Sequence, residues 1–173
     1  EIFSIIKRKN IRTIVLFGSR ARGDFNKDSD YDIEIYLKNK KRPKRDLPMF
    51  LKDNIFISYT SSSDFIELRR KAHPFLYCAF RDGMPLYQHK NWFDENKREI
   101  LKLKPTKEIT IFYIEAALER LLWLLRHKER YLNIDYEDGK TIANQIGFSV
   151  LMNNRIYPKS PHTLEKELKM LNK

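Results

Sequence analysis

Gly18-Ser19-Arg20-Ala21-Arg22-Gly23, six further residues, and then Asp30-Tyr31-Asp32 decide how this chain reads. The segment starts where one predicted strand ends, and its two aspartates open the next. A glycine at such a turn lets the backbone come close to a phosphate, and the amides of Ser19 and its neighbours can point at it. The Ser19 hydroxyl adds a donor, and Arg20 or Arg22 adds positive charge. Asp30 and Asp32 stand at i and i+2 of a strand and so project to one face. There they repel each other unless a divalent cation lies between them, and hard oxygen ligands select Mg2+ or Mn2+. A phosphate cradle beside a metal-binding pair is the equipment for phosphoryl or nucleotidyl transfer. The Gly-x4-Gly-Lys-Ser/Thr spacing of a Walker loop is absent.

Outward from this segment, the pattern is mixed α/β. Thr13–Phe17 is a continuous apolar run that reads as a buried strand, and residues 2–9 before it suit a short helix. Tyr31–Leu37 alternates as a strand, with Tyr31, Ile33, Ile35 and Leu37 on one face and Asp32, Glu34 and Tyr36 on the other. Ile55–Thr60 is the third strand, and Ser62 or Ser63 is placed to cap the helix that begins near Asp64. A helix over Pro74–Arg81 is predicted to end on a left-handed Gly83, before a short edge strand, Met84–Tyr87. From Trp92 onward the signal is helical only, in patterns over 95–104, 106–131, 141–152 and 163–171. Strands and helices mixed early, then helices alone, predict an α/β unit followed by an all-α bundle.

The pattern Gly-Ser-x-Ala-Arg-Gly-x5-Ser-Asp-x-Asp closely resembles the signature of the polymerase-β-type nucleotidyltransferase superfamily, and best its minimal nucleotidyltransferase branch. Eight positions fit within fifteen residues: Gly18, Ser19, Ala21, Arg22, Gly23, Ser29, Asp30 and Asp32. The Gly83-x-x-Leu-Tyr87 ending also looks like that family's core. The resemblance implies a nucleotidyltransferase core with a mixed sheet over residues 1–90, and residues 91–173 then form a helical C-terminal domain for acceptor binding or dimerisation. It implies transfer of a nucleoside monophosphate from a nucleoside triphosphate, ATP being the expected one, to an acceptor hydroxyl, with release of pyrophosphate. Gly18 and Ser19 would hold the β- and γ-phosphates, and Asp30 and Asp32 the metal ions. The acceptor stays open among a small molecule, a protein and an RNA end.

One position departs from the family pattern. A third carboxylate is usual on the next strand between hydrophobic neighbours, and here that place falls on Phe56 or Ser58. Asp53 lies just before the strand, and Glu34 lies two residues beyond Asp32 on the same face. Loss of the third carboxylate should hurt chemistry more than nucleotide binding. A catalytically weakened nucleotide- or RNA-binding protein is therefore an alternative.

The other candidates are each set against a plainer reading. Lys38–Arg45 carries six basic residues in eight and suits either a nucleic-acid backbone or a solvated loop. Arg120 and His127 share a helix face at a spacing that resembles the ribonuclease motif of HEPN domains, which points to a toxin–antitoxin-type module. Against it stands an ordinary basic helix end. Glu115 and Glu119, one turn apart, serve as a general base toward the acceptor if their face borders the cleft, or else form a solvent-facing acidic ridge. His73, His89 and His162 show no metal-ligand spacing.

Composition bounds the rest. The single cysteine, Cys78, excludes an internal disulfide framework and fits a reducing, cytoplasmic compartment. A net charge of 34 − 23 = +11 favours anionic partners. The apolar stretch 109–125 is broken by Glu115, Glu119 and Arg120, so no membrane span is expected, and its apolar residues read as core or as a homodimer interface. The chain opens at Glu1, so residues are expected to be missing at either end.

Overall fold

A computed structural model describes residues 10–39, 50–51, 54–127 and 135–171. The helix expected over 2–9, most of the basic run 38–45 and Asp53 lie outside the described residues. The chain clusters into two compact units, Glu1–Leu103 and Lys104–Lys173.

The first unit is built on a five-stranded sheet in the order β3-β4-β2-β1-β5. Its strands are β1 (Ile11–Phe17), β2 (Tyr31–Leu37), β3 (Phe50–Leu51), β4 (Ile55–Thr60) and β5 (Met84–Gln88). β1 runs antiparallel to β2 and β5, and β3 antiparallel to β4, while β2 and β4 are parallel. The sheet is therefore mixed, as the sequence implies. Its helices are α1 (Gly18–Arg22), α2 (Ser62–Arg70), α3 (Pro74–Asp82) and α4 (Trp92–Ile100).

The alternation of β2 divides the core in two. Ile33, Ile35 and Leu37 join Ile11, Ile14 and Ile57 in one apolar cluster. Tyr36 and Val15 face the other way and pack with Phe65, Leu76, Phe80, Phe93 and Ile100 from α2, α3 and α4. Phe80 and Phe93 stack at 4.8 Å between ring centroids, which fixes α4 against α3. Each such buried side chain contributes roughly 1.5–3 kcal/mol of burial. Phe93 and Ile100 pack α4 into this second cluster.

Two local expectations change. The cap of α2 is Ser61, whose side chain accepts from the Asp64 amide while the Asp64 carboxylate accepts from the Ser61 amide, a reciprocal box. Gly83 follows α3 in an extended rather than a left-handed conformation. The position needs glycine because a Cβ would overlap the Ala79 carbonyl and lie 2.6 Å from Val15 Cγ1. It is a close helix–strand approach, not a turn.

The second unit is helical: α5 (Lys107–His127), α6 (Asp135–Asn153), a 3-10 turn at Pro161–Thr163 and α7 (Leu164–Met170). Its buried residues include Ile109, Ala117, Ile142, Leu151, Met152 and Leu164. Gly147 lets α6 and α7 meet, since a Cβ there would lie 2.7 Å from Leu164 Cδ2.

Candidate active site

The antiparallel register of β1 and β2 places Phe17 opposite Asp32, so the chain leaves β1 beside the second aspartate. Gly18 then turns with φ +74°, in the left-handed region, to start α1. A Cβ on Gly18 would overlap Asp32 Oδ2 and lie 3.1 Å from its Cγ. The first glycine of the signature thus makes room for a carboxylate. The opening turn of a helix leaves its amides without intrahelical partners, which suits Gly18 and Ser19 for phosphate. Gly23, at φ +82°, ends α1 by donating its amide to the Ser19 carbonyl at 2.9 Å.

The loop to Asp30 is folded on itself. Asn26 Oδ1 accepts from the Asp28 amide at 2.9 Å, and Ser29 Oγ accepts from the Asn26 amide at 3.0 Å. Arg20 donates through Nε and Nη2 to the Ser29 carbonyl at 3.2 and 2.9 Å. Its guanidinium also lies 4.4 Å from the Phe25 ring centroid and 4.5 Å from that of Tyr31. Arg20 pins the residue that immediately precedes Asp30, and its guanidinium is held by this loop. Arg22 pairs with Asp24 at 3.2 Å and reaches Asp82 at 3.8 Å. Asp82 is itself clasped by Arg81 at 2.6 and 2.7 Å.

Burial raises the Asp32 carboxyl above its ordinary value, the Asp30 charge raises it further, and Arg22 opposes both. Asp30 lies one residue before β2, not on it as expected, yet its charge acts on Asp32, and a hard divalent cation is the ion that such a pair of carboxylates would suit. Among the described residues, no set of three or more His, Cys, Asp or Glu side chains is arranged to hold a metal. The parallel register sets Phe56 opposite Asp32 and Ser58 opposite Glu34. The Ser58 hydroxyl donates to buried Glu34, so β4 offers an aromatic ring and a hydroxyl where a carboxylate is usual.

The structure thus brings together Gly18, Ser19, Arg22, Asp30 and Asp32, with Arg20 bracing the loop. Glu115 and Glu119 are exposed on α5 in the second unit. His127 stacks on Trp123 at 4.7 Å, and its Nδ1 lies 2.7 Å from the Trp123 carbonyl. Residues the sequence reading did not single out are Phe25, Asn26, Arg81 and Asp82. The Asn26-x-Asp28 step alone carries a recognisable local turn signal.

No helix among the described residues is long and apolar enough to cross a membrane. The chain is similar to the protein adenylyltransferase MntA of Aphanizomenon flos-aquae (strain 2012/KM1/D3). The two are 27% identical over 124 residues, which cover 64% of this chain and 82% of the relative. The sequence profile described as polymerase beta, nucleotidyltransferase matches residues 1–91, the stretch that contains the whole sheet and the Gly18–Asp32 site. The chain belongs to the polymerase-β nucleotidyltransferase family.

Proposed function

We propose that this protein transfers AMP from ATP to a hydroxyl group of a protein, with Mg2+ held by Asp30 and Asp32. The observation that carries the reading is the shared space of Gly18 and Asp32, the backbone that would approach the phosphate and the carboxylate that would hold the metal. The Gly18 and Ser19 amides and the Ser19 hydroxyl hold the triphosphate tail. Arg22, whose charge already acts on Asp32, offsets the charge of the phosphates. The acceptor hydroxyl gives up its proton to water as its oxygen forms a bond to the α-phosphorus, the bond from that phosphorus to the oxygen it shares with the β-phosphate breaks, and pyrophosphate leaves with that oxygen. A divalent ion, when bound, would supply positive charge to the phosphate oxygens and so lower the barrier to displacement of pyrophosphate. The choice of AMP and of a protein acceptor rests on the adenylyltransferase relative. The cytoplasm, where ATP and Mg2+ are plentiful and thiols stay reduced, is the compartment that fits a chain with one cysteine.

The test follows two labels. With ATP labelled at the α-phosphate, label should enter an acceptor protein only when Mg2+ is present. With label at the γ-phosphate it should appear in pyrophosphate. Asp30→Asn and Asp32→Asn should each abolish incorporation while leaving circular dichroism unchanged. Undiminished incorporation in Asp32→Asn would refute the proposal.

Phe56 and Ser58 on β4 favour one second reading, a nucleotide-binding protein with weakened transfer. Tight MgATP binding without α-label transfer to protein, RNA or small hydroxyl compounds would select it.

A further inference from the structure

The register that sets Phe17 opposite Asp32 sets Ile11 opposite Leu37, so Arg12 stands at the other end of β1, roughly 17 Å along the strand from Phe17. A cavity of about 220 Å³ lies at this end, lined by Arg12 and Tyr36 from the sheet, Ser62, Phe65 and Ile66 from α2, and Trp92 from α4. Three of its walls are aromatic. The Tyr36 ring centroid is 5.8 Å from that of Phe65 and 5.6 Å from that of Trp92, and those two are 4.9 Å apart. Tyr36 is 1% exposed, and its hydroxyl is buried with no hydrogen-bond partner. Buried hydroxyls are nearly always bonded, so an unbonded one beside a cavity needs an explanation.

Positive charge gathers at the same end. The His89 amide donates to the Arg12 carbonyl at 2.7 Å and the Lys38 amide to the Asn10 carbonyl at 2.8 Å, which brings Lys38, His89 and Lys90 to the start of β1. The Lys38 charge first, then partial burial, then the charges of Lys90 and Arg12 hold the His89 imidazole below its ordinary pKa. The Arg12 guanidinium lies 5.9 Å from the Trp92 ring centroid. Among the described residues, no carboxylate pairs with Arg12, Lys38 or Lys90. The acids that open α4 and α2 are engaged elsewhere: Asp94 accepts from Gln88 Nε2 at 2.9 Å, and Asp64 from the Ser61 amide at 3.3 Å.

We propose that this end of the sheet binds single-stranded nucleic acid, with one base in the cavity and the flanking phosphates on Arg12, Lys38 and Lys90. A base has apolar faces that stack on aromatic rings, and an edge of donors and acceptors that the Tyr36 and Ser62 hydroxyls can meet. The cavity is smaller than the roughly 300–1,000 Å³ that drug-sized ligands occupy, so it suits one base rather than a whole nucleoside triphosphate. Cations that flank β1 on both sides suit a chain of phosphates better than a single one. A duplex keeps its bases paired and has none to offer the cavity. The site is separate from Gly18 and Asp32 and does not rest on the transferase reading.

In a Trp123→Phe chain, Trp92 is the one remaining tryptophan, and its fluorescence reports stacking in the cavity. Titration is done in EDTA, which keeps divalent ions from Asp30 and Asp32. Single-stranded oligoadenylate should quench Trp92, and the tighter of its RNA and DNA forms names the strand. Arg12→Gln, with circular dichroism unchanged, should weaken binding at least about tenfold, and Tyr36→Phe about fivefold. Lys38→Gln and Lys90→Gln should each lower the slope of log affinity against log salt by about 0.7. Asp32→Asn should bind as wild type does. Absence of quenching would overturn the proposal, as would binding that Arg12→Gln leaves unchanged or Asp32→Asn abolishes. Equal affinity for AMP or for duplex, or equal displacement by polyglutamate, would also overturn it.

Discussion

Gly18 and Asp32 occupy one space: a Cβ on Gly18 would overlap Asp32 Oδ2 and lie 3.1 Å from its Cγ. The glycine also holds φ +74°, where an L side chain is strained. Gly18→Ala therefore acts on the carboxylate as well as on the turn. It is expected to cost about 1–3 kcal/mol of stability, read by urea denaturation. Nucleotidyl transfer should fall more than about 100-fold, because a displacement near 1 Å at a reacting centre has that effect. Near-normal transfer would mean that the carboxylate does not work where it sits.

Asp32 predicts a dependence of stability on pH. Burial and Asp30 raise its carboxyl, so the folded chain holds that proton to a higher pH than the unfolded chain does. Stability from this group is greatest below the ordinary carboxylate range and falls as pH rises through the raised value. Asp32→Asn removes the cost, so the variant should melt above wild type at neutral pH and lose that advantage on acidification. Added Mg2+ should raise the melting temperature of wild type and leave the variant unmoved.

His73 gives the opposite slope. Its Nδ1 caps α3 by accepting from the Phe75 amide at 3.1 Å, and burial and then the Lys71 charge lower its pKa. The unfolded chain takes up the proton first, so the neutral ring's contribution is complete above the ordinary imidazole value. It is lost as pH falls from there to the depressed value. His73→Asn retains a capping acceptor and should flatten this acid-side loss in urea titrations across pH.

Arg20 tests the loop. Its two bonds to the Ser29 carbonyl and its place between Phe25 and Tyr31 make it a brace for Asp30. Arg20→Ala should cost about 2 kcal/mol, the range for bonds to charged groups, and open residues 24–29 to proteolysis. Arg20→Lys should rescue little, because an ammonium cannot reproduce the planar fork or the stacking.

Much of this was legible from short-range pattern. Ile55–Thr60 and Tyr31–Leu37 form strands over the residues that their apolar and alternating runs mark, because register and burial both follow a period of two. Gly18 and Asp32, fourteen positions apart, come together because β1 and β2 pair antiparallel across a single connection, so their closeness follows from local order along the chain. Less could be read where the determinant is a distant partner. Phe93 and Ile100 show helical periodicity, but nothing in it says that they pack beside Phe80 and Tyr36. Gly83 looks like a helix terminator, yet its reason is the Ala79 carbonyl and Val15. The two bonds of Arg20 to the Ser29 carbonyl could not be foreseen, because a backbone acceptor leaves no mark in a sequence.

The central claim is that Gly18, Ser19, Asp30 and Asp32 together bind a magnesium nucleotide. Calorimetric titration of MgATP into the full chain and into Asp32→Asn tests it most directly, with the other three triphosphates as controls. The account predicts Mg2+-dependent binding by wild type, strongest for ATP and at least about tenfold weaker in the variant, a loss near 1.4 kcal/mol. Equal binding by both proteins, or binding indifferent to Mg2+, would contradict it.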